Sequence, residues 1–151
     1  QRDFAVPDAM VVPVGHGTLF LGLYRGFSAL EAAGWTDRVP RLLGVQAAGV
    51  APIAEAVGTA SPESARNDLA DGIQIADPVR RDGIVDAIDS SGGDAIAVTA
   101  AETEQAHDRL ARRGLAVEPT SATAIAGLER LRERGVIEEG DDVVVPLTGD
   151  N

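Results

Sequence analysis

Gly15-His16-Gly17-Thr18-Leu19 gathers two glycines, a histidine and a hydroxyl where a β-branched apolar run, residues 9–14, gives way to apolar residues at helical spacing, residues 19–33. A strand that passes into a helix through glycine leaves backbone N–H groups unpaired and turns the positive helix end toward one point. That chemistry suits a phosphate. Glycine at 15 and 17 lets the chain turn sharply and approach an anion with no Cβ in the way. Two nucleotide patterns fail here. A dinucleotide fingerprint needs a third glycine where Phe20 stands, and a P-loop needs Gly-Lys-Ser/Thr where the chain has Gly22-Leu23-Tyr24. On local pattern alone, an anion cradle and a tight strand-to-helix turn with Thr18 as N-cap stand level.

Two further segments carry polar groups at suggestive places. Leu147-Thr148-Gly149 closes the last strand-like run, so it reads either as a hydroxyl at a strand's carboxyl end, where ligands collect, or as a plain turn. Glu118-Pro119-Thr120-Ser121-Ala122 leads into a helix, with Thr120 or Ser121 as cap and Pro119 fixing the approach. Ala122, Ala124, Ala126 and Gly127 would let that helix pack closely on a sheet. His16 and His107 are too few and too far apart in sequence to suggest a metal site, and zero cysteines exclude disulfides and thiolate ligands.

What the chain lacks is equally informative. All 13 basic residues are arginine, so no side-chain amine can bond a carbonyl cofactor; only the N-terminal amine could. With 24 acids the formal charge is −11, which argues against nucleic-acid partners, since phosphate contacts need clustered positive charge, and disfavours anionic membranes. Acid enrichment and arginine without lysine resemble halophilic proteins, in which salt screens carboxylate repulsion. No apolar run reaches membrane-spanning length and Gln1-Arg2-Asp3 is not a secretion signal, so a cytoplasmic protein is expected.

These segments must be positioned by a core that 151 residues at 44% hydrophobic content can supply, as one domain over residues 1–151. The pattern predicts strands at residues 9–14, 41–46, 95–98 and 142–147, and helices at 19–33, 51–57, 80–90, 101–113 and 121–134. It also predicts a loop at 58–68, an extended segment at 72–77 and a short apolar segment at 115–117. The arginine-rich run at residues 130–134 reads as a solvated helix face with close opposite-charge pairs. Strands alternating with helices imply an α/β fold with a doubly wound, mostly parallel sheet.

In this order the segments resemble the threonine synthase family of fold type II pyridoxal-phosphate (PLP) enzymes. Residues 7–18 are similar to the family's strand and phosphate loop, RLLGVQAAGVAP at 41–52 to its next strand and turn, and residues 72–78 to its segment ending in Asn-Pro. Residues 117–128 are similar to its Glu-Pro-x-Ser-Ala helix, and 143–149 to its closing Leu-Thr-Gly. The resemblance implies that Gly15, His16, Gly17, Thr18 and Leu19 hold the cofactor phosphate and that Thr148 hydrogen-bonds the pyridine nitrogen. Glu118 lies in a matching segment, where it either faces the ring or packs.

The resemblance further implies a substrate of the amino-acid class, conversion of O-phosphohomoserine and water to threonine and phosphate, and a homodimer. The family's Schiff-base lysine belongs to an N-terminal region absent from this sequence, so no catalytic residue is assigned here and the chain alone is expected to be inactive. The chain departs from the family at Thr18, where many relatives have glycine, and at Leu19, which replaces an amide or hydroxyl side chain. Either Thr18 takes over that bond or cofactor binding is altered. Asp77 stands where asparagine is frequent, and the Gly-Leu-Lys-like tail expected after Gly149 is missing. A dehydratase or other β-replacement enzyme, and a non-catalytic α/β binding module, are the competing readings.

Overall fold

The computed structural model describes residues 5–60 and 66–149. The residues outside these bounds include the N-terminal Gln1-Arg2-Asp3, part of the loop expected at 58–68 and the last two positions. Along the chain run β1 (Ala9–Pro13), α1 (Thr18–Ala32), β2 (Arg41–Ala47), α2 (Pro52–Ala56), a single 3-10 turn (Asp71–Ile73), α3 (Arg81–Ser91), β3 (Asp94–Val98), α4 (Ala100–Arg112), α5 (Pro119–Glu133) and β4 (Val143–Val144).

The four strands form one sheet in the order β3-β2-β1-β4, and every pairing is parallel. Parallel neighbours need crossovers, and the helices that make them cover both faces of the sheet. This is why the strands read as unbroken apolar runs instead of alternating. Met10, Val12, Val14 and Leu42 pack one face against Phe20, Ile53, Ile84 and Ile88. Val11, Leu43, Val45 and Ile96 pack the other against Ala106, Ala124 and Leu131. The small residues of α5 serve close approach: a Cβ on Gly127 would come within 2.8 Å of Val45 Cγ1.

The helix ends follow from local chemistry. Thr99 and Glu102 form a capping box at the start of α4, with the Thr99 amide donating to Glu102 Oε2 at 2.7 Å. Gly92, at φ 63°, ends α3. At the amino edge of the sheet, Arg41 donates to the Val136 carbonyl and to Asp141 Oδ2, both at 2.7 Å. Asp141 is held below the usual aspartate range, first by the hydrogen bond from the Glu138 amide and then by Arg41.

Several expectations need correction. The last strand pairs only over Ala9↔Val143 and Met10↔Val144, far shorter than residues 142–147. Pro146 has no N–H to donate, so the ladder ends before it. Residues 72–77 do not form a strand: the stretch begins within the 3-10 turn, where Ile73 is buried against Ala70 and against Ala47 at the end of β2 without pairing to that strand. The run at 130–134 is not merely solvated, because Arg130 reaches off its own helix to the Ala97 carbonyl at 2.9 Å and to Glu102.

The strand order also locates a crevice. From β1 the chain steps outward to β2 and β3, then returns to lay β4 on the other side of β1. The sheet's switch point therefore lies between β1 and β4, beyond whose carboxyl ends ligands of such sheets sit.

Candidate functional site

Sheet bonding extends one residue past β1, where the Val14 amide donates to the Val45 carbonyl at 2.8 Å, and the chain then turns through residues 15–17 into α1. Gln46, fully buried at the end of β2, supports this turn from beneath. Its Nε2 donates to the Val14 carbonyl at 3.4 Å, while its Oε1 accepts from the Ile53 and Ala54 amides at 2.8 and 3.1 Å. One side chain thus ties the exit of β1 to the first turn of α2.

Gly17 is glycine for two independent reasons. Its φ of 79° lies in the left-handed region, and a Cβ there would fall within 2.7 Å of Ile84 Cγ1 in α3. It is also the N-cap of α1 and makes no side-chain cap bond, which corrects the reading of Thr18 as cap: Thr18 is the first helical residue. The first amides of α1 have no acceptor within the helix. They open outward beside His16, Thr18 and Leu19, all three exposed.

The next wall is residues 72–75. A Cβ on Gly15 would meet Ile73 Cα at 3.3 Å and the Gly72 carbonyl oxygen at 3.4 Å. This wall is anchored by Gln74, which donates to the carbonyl of Asn67 at 2.7 Å, and Asn67 in turn donates to Val98 O and Thr103 Oγ1.

The third wall is the start of α5. A Cβ on Gly72 would lie 3.1 Å from Thr120 Oγ1. Neither Thr120 nor Ser121 caps this helix, contrary to the sequence expectation; Glu118 occupies the N-cap position with no side-chain cap bond. The Ser121 hydroxyl donates instead to the Thr148 carbonyl, and the Glu118 amide donates to the Gly149 carbonyl at 3.3 Å. Gly149 sits at φ 89° with the Glu118 carboxyl packed on it, 3.0 Å from where a Cβ would be. Glu118 therefore packs against the closing segment, while Thr148 itself is exposed.

The structure thus links three of the singled-out segments, residues 15–19, 118–121 and 148–149, through the wall at 72–75. It does not bring the histidines together: His16 stands in the loop after β1, whereas His107 is on α4 with its Nε2 3.0 Å from the Val117 carbonyl. A depression of about 480 Å³ lined by Val6, Trp35, Thr36 and Arg38 lies at the opposite, amino end of the strands, away from the candidate residues. Sequence reasoning missed Gln46 and Asn67. A lone amide in an apolar strand was a usable signal for Gln46, whereas Asn67 sits in a loop without one.

The family described as pyridoxal-phosphate dependent enzyme has a model that matches residues 1–149. Threonine synthases of Methanocaldococcus jannaschii and Methanosarcina acetivorans are each 40% identical over 154 aligned residues, which cover 99% of this chain and 38% of theirs. The chain therefore spans well under half the length of these curated relatives. A fungal L-serine ammonia-lyase from Rhizomucor miehei superposes with a TM-score of 0.72 at 22% identity, over 97% of this chain and 46% of that one.

Proposed function

Because the chain belongs to the pyridoxal-phosphate-dependent enzymes, we propose that it is the cofactor-phosphate-binding part of a threonine synthase, which converts O-phosphohomoserine and water to threonine and phosphate. The observation that carries this reading is the 40% identity to two archaeal threonine synthases across almost the entire chain.

The turn after β1 fits the cofactor's phosphate. A Cβ at 15 would crowd the backbone of residues 72–73 and one at 17 would strike Ile84, so both positions keep bare backbone beside the unpaired amides of α1. Gly15, His16, Gly17, Thr18 and Leu19 would hold the phosphate, Leu19 through its amide alone, with the Thr18 hydroxyl as the side-chain donor. Thr148 would meet the pyridine nitrogen. Bound PLP supplies an electron sink for bond breaking at substrate carbons. A hydroxyl at Thr148, unlike a carboxylate, does not force that nitrogen to carry a proton, which moderates the sink. Glu118 contributes by shaping the closing segment.

No side chain of this chain can supply the covalent amine, since it has no lysine. The lysine would come from elsewhere in the complete polypeptide, and residues 1–151 alone would bind and orient without turnover. The test is phosphate release from O-phosphohomoserine by the complete, PLP-loaded polypeptide. Release supports the reading; ammonia release from serine or threonine without it would replace the synthase with a dehydratase, and failure to bind PLP would leave a non-catalytic module.

A further inference from the structure

The start of α5 and the chain after β4 are joined by two backbone-directed bonds in succession. Ser121 gives its hydroxyl to the carbonyl of Thr148, and Glu118 gives its amide to the carbonyl of Gly149. Ser121 is 1% exposed, whereas the residue it grips is exposed. A hydroxyl at the N-cap position ordinarily serves the helix itself by accepting from one of its free amides, but Ser121 stands three residues inside that position. Here no side chain caps α5, and the hydroxyl is spent on a segment 27 residues further along.

Val145 and Leu147 pack this segment on the core, but packing there leaves the backbone at Thr148 without a ladder to orient it. The ladder of β4 ends at Val144, leaving residues 145–149 without strand pairing, and Gly149 is in a conformation that only glycine adopts freely. We propose that Ser121 is a positioning residue that aims the Thr148 hydroxyl by holding the Thr148 carbonyl, with the Glu118 amide as the second point of the clamp. The Thr148 carbonyl fixes the peptide plane between Thr148 and Gly149 and the Gly149 carbonyl fixes the chain on the far side of Gly149, so together they hold the Thr148 Cα from which the hydroxyl-bearing side chain departs. This rests on the reading that Thr148 meets the cofactor nitrogen.

The experiment uses the complete PLP-loaded polypeptide and the variants Ser121→Ala, Thr148→Val and the double change. It reads the PLP dissociation constant, the position of the bound cofactor's absorption band and the melting temperature of the apoprotein. Ser121→Ala is expected to weaken PLP by about tenfold, the loss of one aligned hydrogen bond. It should move the band in the direction in which Thr148→Val moves it. Because both changes act through one hydroxyl, the double variant should be no weaker than Thr148→Val alone.

An apoprotein that melts earlier while band and affinity stay at wild-type values would make Ser121 structural only and overturn the proposal, as would fully additive losses. A Thr148→Val protein with an unmoved band would instead remove the reading of Thr148, and the clamp's role with it. If Ser121→Ala does not fold, Ser121→Cys keeps the volume with a weaker donor and carries the same comparisons.

Discussion

Gly17 and Ile84 meet so closely that any side chain at position 17 would enter the space of the isoleucine, with a Cβ 2.7 Å from Cγ1. The loop after β1 is thereby pressed onto α3, and its shape depends on a residue far from it in sequence. Gly17→Ala adds a left-handed backbone penalty to an overpacked contact and should cost about 3 kcal/mol of stability. Thermal melting with and without Ile84→Ala separates the two parts: relative to the Ile84→Ala background, Gly17→Ala should lose only the backbone share.

Gly149→Ala repeats this logic at the other wall. The φ of 89° and the Glu118 carboxyl both oppose a side chain there. Glu118→Ala combined with Gly149→Ala should relieve the steric part and leave about 1 kcal/mol, measured by urea unfolding.

Gln46→Leu keeps the volume in the strand but strands the Ile53 and Ala54 amides and the Val14 carbonyl, all of which bond to this one side chain. The expected loss is about 3 kcal/mol. PLP affinity should fall as well, because the turn after Val14 loses its support. A stability loss without any change in affinity would separate α2 from the site.

Asp141 titrates below the ordinary aspartate value because the Glu138 amide and Arg41 favour its charged form. A depressed folded-state pKa stabilises the fold above the unfolded aspartate pKa, and the gain is lost as pH falls through the lowered value. Asp141→Asn should therefore be less stable than wild type near neutrality, with the gap closing in acid. Urea midpoints measured across that range check the sign.

The charge of −11 gives a global prediction. If the acidic surface is a halophilic adaptation, the urea midpoint should rise between dilute and molar salt as carboxylate repulsion is screened. An unchanged midpoint would remove that reading.

Much of the fold was legible because periodicity and glycine placement report on the backbone directly. The runs at 9–14, 41–46 and 95–98 are strands, and each predicted helix is present within about two residues at either end. Two kinds of error remained. One concerned caps: the sequence offers a hydroxyl near a helix start but not its target, so Thr18 and Ser121 looked like caps when Gly17 and Glu118 occupy those positions. The other concerned pairing: residues 142–147 have strand composition, yet only two of them find a partner. The walls of the crevice were legible as separate motifs. Their contacts with one another, such as Gly15 on residues 72–73 and Ser121 on Thr148, depend on the three-dimensional path and leave no trace in local spacing.

The parallel pairing of β4 with β1 has a kinetic consequence. Its lead-in bond, from the Asp142 amide to Asp8 Oδ2, spans 134 residues. A closure of that span is entropically unfavourable and is offset by two ladder pairs, the Arg41–Asp141 ion pair and the clamp at the start of α5. The layers built on β1, β2 and β3 can collapse without it, so β4 is expected to dock late in folding and to detach early in unfolding. In amide exchange the carboxyl-terminal wall should thus exchange sooner than the loop after β1, and the crevice would gain and lose its last side as a separate event.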